Sequence, residues 1–168
     1  MAGVAGVSQR APRLAVVTVH RAAPSTNRLA RSATVHCLTG CAIGEVLGLA
    51  IASQLGWDDL PSIALAVVLA FVFGYALTLR PLLASGVAIG SALGLAFAAD
   101  TLSITVMEIV DNVIILANPG AMDSGIADPL FWGSLALALA VAGVVAYPVN
   151  LWLIRRGRGH AVLHEHDH

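Results

Sequence analysis

Apolar and polar positions divide the chain into four long hydrophobic runs, about residues 33–55, 60–79, 82–100 and 130–154, joined by short polar connections. Each run is long enough to cross roughly 30 Å of hydrocarbon as an α-helix. Between the third and fourth runs lies a mixed segment, "DTLSITVMEIVDNVIILANPGAMDSG", residues 100–125. Read as one helix, 82–117 would be about 54 Å long, more than the hydrocarbon needs. Residues 101–117 are therefore expected as an outward extension of the third helix or as a re-entrant or interfacial helix, stopped by "NPG" at 118–120. Within them Thr101, Thr105, Glu108 and Asn112 share one helical face, and Asp100 and Asp111 lie close together on an adjacent one.

The runs resemble one another in pairs. "GCAIGEVLGLAIA" (40–52) and "GVAIGSALGLAFA" (86–98) match at 9 of 13 positions at an offset of 46. This places Gly40, Gly44 and Gly48 on Gly86, Gly90 and Gly94. Residues 63–80 and 135–152 match at 7 of 18 at an offset of 72, with Tyr75 on Tyr147. The pattern predicts an all-α membrane protein of four transmembrane helices, built as two tandem helix-hairpin repeats of the same orientation. Glycines spaced by four let backbones approach closely where lipid offers no hydrophobic drive. The first and third helices are accordingly expected to meet through Gly44 and Gly90.

Composition agrees with a membrane protein. Of 168 residues, 58% are hydrophobic and 11% charged, against roughly 25% charged in soluble domains. The net charge of −1 offers no basic field for nucleic acid. All nine basic residues are arginines. Five precede the first run, Arg80 lies between the second and third, and Arg155, Arg156 and Arg158 follow the fourth. The other connections carry Asp58, Asp59, Asp123 and Asp128. Positive residues mark the cytoplasmic side, so both termini are expected in the cytoplasm and the chain in the cell (inner) membrane. Residues 1–31 read as a disordered basic cytoplasmic arm, a transit peptide being the less favoured alternative. Residues 32–157 form the transmembrane domain and 158–168 a His-rich cytoplasmic tail.

Candidate chemistry lies along two helices and in the tail. Cys37, Cys41 and Glu45 fall on one stripe of the first helix. Residues four apart on a helix have Cβ atoms roughly 5–6 Å apart, wide for a disulfide but suited to two thiolates on one metal ion. His36 points about 100° away from Cys37 and joins such a site only if the helix end unwinds. Glu45 in mid-membrane is costly and needs a proton, a cation or a polar cavity. Asp100, Glu108 and Asp111 supply further oxygens, as an outer vestibule or as ligands. In the tail, His160, His164, His166 and His168 form a short tract of the metal-binding kind. Each feature has a plainer reading: small packing residues for the cysteines, an interhelical hydrogen bond for Glu45, a solvated face for the other acids. No nucleophile–base pairing, phosphate loop or dinucleotide fingerprint points to an enzyme or an organic cofactor.

The stretches "HCLTGCAIGEVLG", "DTLSITVMEIVDN" and "YPVNLWLIRRGRGH" resemble a bacterial multi-pass membrane family classed only as a domain of unknown function. The resemblance covers about residues 33–160, and its HCxxGC element is His36, Cys37, Gly40 and Cys41 here. It implies fold boundaries and transfers no activity. The sequence thus predicts a membrane protein that binds or moves Cu(I) or Zn(II) through a ladder of Cys37, Cys41, Glu45 and Asp100, then Glu108 and Asp111. Its partners would be the lipid bilayer and a second copy in a homodimer. The rivals are a structural or assembly membrane protein and a proton-coupled carrier of a small solute.

Overall fold

A computed structural model describes residues 25–118, 120 and 124–156. Four α-helices follow in order: α1 (Thr26–Leu55), α2 (Asp59–Ala84), α3 (Ile89–Ala117) and α4 (Pro129–Arg155). All four are long and apolar enough to cross a membrane. At 1.5 Å per residue the shortest, α2, reaches about 39 Å.

Local signals fix the helix ends. The Ser25 side chain accepts from the backbone N–H of Arg28 and caps α1. Gly56, at φ +66°, closes α1 in the left-handed conformation that glycine adopts freely. Asp128 accepts from Leu130 N at 2.8 Å and Pro129 opens α4, where its missing N–H costs nothing. Two boundaries differ from the sequence expectation. α1 begins at Thr26, so residues 26–31 are helical and do not belong to an unstructured arm. Residues 82–84 finish α2 instead of opening the third helix, because Pro81 sits in its last turn and the sharp turn falls at Gly86, φ +86°. The segment 101–117 continues α3 as an unbroken helix, which selects the extension over the re-entrant or interfacial alternatives.

The helices form two hairpins, α1–α2 and α3–α4, whose internal packing is the densest in the bundle. α1 also packs on α4, and α2 on α3, while α1 and α3 meet across the diagonal. The large apolar side chains point outward: Val35, Leu60, Val68, Phe97, Val113 and Val144 are all more than half exposed. Most interior positions are small or polar, with a few large apolar side chains such as Ile104, Met107 and Phe131 among them. On α2 the buried positions are Ser62, Ala66, Ala70, Gly74, Thr78 and Leu82, a strict period of four. This inside-out distribution is what a lipid solvent selects, since packing and hydrogen bonds, not apolar burial, hold such helices together.

The tightest contact is α1 on α2. A methyl group on Gly40 would stand 2.7 Å from Gly74 Cα, and one on Gly48 would stand 2.5 Å from Ala66 Cα. One on Gly44 would overlap the backbone of Ala70. Gly90 and Gly94, by contrast, have nothing within 4 Å of a built Cβ. The glycine-for-glycine contact of the first and third helices is therefore corrected: the α1 stripe binds α2, and its α3 likeness faces outward. The offset is also wrong in depth. Residues 37 and 45 of α1 stand level with 100 and 111 of α3, an offset of 63 to 66 instead of 46.

Among the described residues, each of the main helix contacts except α3–α4 carries a direct hydrogen bond between helix side chains. His36 Nε2 and Thr78 Oγ1 lie 2.9 Å apart between α1 and α2, and Asn150 Nδ2 donates to Thr34 Oγ1 at 2.9 Å between α4 and α1. Tyr75 and Thr101 pair at 2.8 Å between α2 and α3. The Cys37 thiol donates to Asp100 at 3.9 Å between α1 and α3. The α3–α4 link is made one residue beyond α3, where Asn118 Nδ2 donates to Ser134 Oγ at 2.6 Å. At the arginine end, the Arg156 guanidinium lies 4.2 Å over the Trp152 ring. At the opposite end Trp132 Nε1 donates to Ile126 O at 2.9 Å.

Gly44→Ala is expected to destabilise the detergent-solubilised protein by about 1–3 kcal/mol, the usual cost of overpacking. Gly94→Ala should be neutral or stabilising, because it meets nothing and raises helix propensity by up to about 1 kcal/mol. Thermal unfolding of the two variants side by side checks this. Equal midpoints would contradict the packing assignment.

Candidate functional site

The glycine face of α1 is committed to α2. Cys37, Cys41 and Glu45 lie about 60° farther round the same helix, and so turn toward the diagonal partner, α3. The face that α3 presents is Asp100, Ser103, Ile104, Met107, Glu108 and Asp111, all buried. α1 and α3 run the same way, and their polar groups meet in order of depth. The Cys37 Sγ lies 3.9 Å from Asp100 Oδ1. Cys41 lies against Glu108. Glu45 faces Asp111. The column from Cys37 to Glu45 is about 12 Å long. Ile104, Met107 and Ala70 pack around the two thiols, with Ala142 and Ala146 of α4 closing the side. Met107 is thus part of the packing beside the column.

Two placements refine the sequence reading. Cys37 lies 11 residues into α1, about 16 Å from its start. Asp100 is completely buried level with Cys37, so it belongs to no outer vestibule and stands beside the first thiol instead of beyond Glu45. His36 turns to α2 and pairs with Thr78, which also bonds Asp100; among the described residues it forms no metal-holding group with the cysteines. Thr78 and Ser103, which approaches Cys37, were not singled out by the sequence. For Thr78 a signal exists: it continues the period-four stripe of Ser62, Ala66, Ala70 and Gly74, the buried side of α2.

The acids of the column are poorly satisfied. Glu45 is 3% exposed and Glu108 4%. Among the described residues the Glu108 carboxyl meets only the Cys41 thiol, too loosely for a well-formed hydrogen bond, and the Glu45 carboxyl meets only that of Asp111. Glu45 and Asp111 face each other, but as carboxylates both are acceptors only and cannot satisfy one another. Two carboxylates side by side in an apolar interior repel, and a proton or a cation between them removes that repulsion. Among the described residues, no three His, Cys, Asp or Glu side chains converge on a point that would hold a metal ion. Each level of the column therefore offers a pair of groups and not a closed site. Both cysteines are free. The four tail histidines, 160, 164, 166 and 168, lie outside the described residues.

Above the column, toward the Asp58 end, the helices part around a cavity of about 260 Å³. Glu45 and Asp111 line it together with Asp59, Ser62, Asn112 and Ser134. Trp57, Ile63, Ile115, Phe131 and Leu135 give it apolar walls. The column is thus dry at the cysteines and opens into a polar-floored chamber at Glu45.

Four apolar spans around a buried column of thiols and carboxyls define a multi-pass α-helical membrane protein. Residues 26–159 match the family described as Domain of unknown function (DUF4396), and the chain belongs to it. No curated protein and no solved structure matches the chain at significance.

A buried carboxylate without a well-formed hydrogen bond costs stability. Glu108→Met, similar in length and apolar, is expected to raise the thermal midpoint, by an amount corresponding to about 1 kcal/mol or more. Thr78→Val should lower it, because it removes the hydroxyl that hydrogen-bonds both His36 and Asp100. A stabilised Thr78→Val protein would contradict the role given to that hydroxyl.

Proposed function

We propose that this chain binds a transition-metal cation and passes it along the α1–α3 column, from Cys37 and Cys41 through Asp100 and Glu108 to Glu45 and Asp111. One observation carries the reading: two thiol–carboxyl pairs and one carboxyl–carboxyl pair stand in line on the bundle's diagonal, all of them buried. A purely structural role explains such groups poorly where their hydrogen bonds are incomplete, since apolar residues would pack there at lower cost. Soft sulfur selects Cu(I) or Zn(II). Zinc favours four ligands, and the two-group levels of this column fit Cu(I) better. His160, His164, His166 and His168 would gather the ion before it enters. Pairing with a second copy completes the proposal, because four helices alone enclose no wide pore.

The cavity favours a second reading, proton-coupled movement of a small solute. Its floor is the Glu45–Asp111 pair, where one proton removes the mutual repulsion as well as a metal ion does.

The test is metal binding by the full-length chain carrying alanine at the four tail histidines. Cys37→Ser with Cys41→Ser is expected to abolish tight Cu(I) binding, while Glu45→Gln retains binding and loses metal movement into proteoliposomes. Unchanged Cu(I) affinity in the double-serine protein would make the cysteines packing residues. Orientation has its own check. With Arg28, Arg31, Arg80, Arg155 and Arg156 at one end of the bundle, reporters fused after residues 58, 81, 124 and 168 should read out, in, out, in. A C-terminus outside the cytoplasm would reverse the direction of the path.

A further inference from the structure

We propose that the cavity at the Asp58 end binds a small organic ammonium ion, with the charged nitrogen at Glu45 and Asp111 and the carbon chain against the apolar walls. The site shares these two acids with the column but does not depend on the cysteines or on metal transport.

Three features select this ligand. The first is charge. Glu45, Asp59 and Asp111 line the cavity, and no arginine or histidine is among its lining residues. An anion is therefore repelled, and a neutral solute leaves the repulsion between the buried Glu45 and Asp111 carboxylates uncompensated. The second is the arrangement of the acids. Among the described residues they do not converge as a metal site requires. They are spread over a chamber of about 260 Å³, close to the lower end of the range for small-molecule sites. A bare metal ion would leave most of that volume unfilled. The third is the walls. Trp57, Ile63, Ile115, Phe131 and Leu135 bring aromatic and branched apolar surface to a carboxylate floor, the combination that holds a cation carrying a hydrocarbon body. An ammonium group has three N–H donors, which suits two carboxylates and the neighbouring Asn112 or Ser62.

The full-length protein in lipid nanodiscs tests the proposal by calorimetric titration with n-butylammonium, n-butanol, Na⁺, Ca²⁺ and Zn²⁺. Saturable binding of n-butylammonium without saturable binding of n-butanol is expected. Glu45→Gln and Asp111→Asn should each weaken it about tenfold or more, as loss of a hydrogen bond to a charged group does. Ile63→Trp, which fills the chamber from α2 while leaving the acids unaltered, should weaken it as well, and guards against a misfolded acid variant. Cys37→Ser with Cys41→Ser should leave n-butylammonium affinity unchanged while removing Cu(I) binding, so the two proposals fail separately. Absence of n-butylammonium binding, equal binding of n-butanol, or occupation by the inorganic ions alone would each overturn the assignment.

Discussion

The backbone contact between Gly44 and Ala70 decides where everything else lies. Two helices can come that close only where neither carries a side chain larger than a methyl, and α1 offers such a strip once, at Gly40, Gly44 and Gly48. With that strip locked on α2, the rotation of α1 about its own axis is fixed. The residues about 60° away, Cys37, Cys41 and Glu45, then face the middle of the bundle. A glycine seam is therefore the reason that costly polar groups lie inside the protein and not against lipid.

Much of this was legible in the sequence, and the failures have physical causes. The four spans followed from run length, because backbone in hydrocarbon must satisfy its own hydrogen bonds. Glu45 stood out because a lone acid in an apolar run is rare and expensive. The two glycine stripes, however, look alike as letters. Which one finds a partner depends on what stands opposite, and only α2 supplies the Ala66, Ala70 and Gly74 that α1 needs. The α3 stripe meets nothing at Gly90 and Gly94, so a matching pattern gave a wrong contact and a wrong offset. The first helix boundary was misplaced because Arg28 and Arg31 interrupt the apolar run without interrupting the helix. Thr78 escaped notice for the opposite reason: a single threonine costs little in a membrane helix, and its importance comes from touching both His36 and Asp100.

The polar interior serves two ends that pull against each other. The hydrogen bonds His36–Thr78, Thr34–Asn150 and Tyr75–Thr101 cross-link the helices. Glu45 and Glu108 are buried more deeply than His36, Tyr75 or Thr101 and meet only a second acid and a thiol. The cross-links lie between neighbouring helices around the rim, and the poorly satisfied acids lie on the diagonal. The rim thus stabilises an arrangement whose centre opposes it, a division expected where a protein keeps charge-bearing groups for use and not for cohesion.

The two tryptophans of α4 also act as a ruler. Trp132 and Trp152 are 20 residues apart, about 30 Å along the helix, which equals the thickness of a typical hydrocarbon core. Tryptophan favours the headgroup level, and the Arg156 guanidinium over Trp152 reinforces that end. In a bilayer of that thickness α4 stands nearly upright with both rings at home. In a thinner one it must tilt, and because Asn150 is bonded to Thr34 of α1, the tilt is passed to the helix that carries the cysteines. Lipid thickness thereby becomes a mechanical variable acting on the buried column from outside the protein.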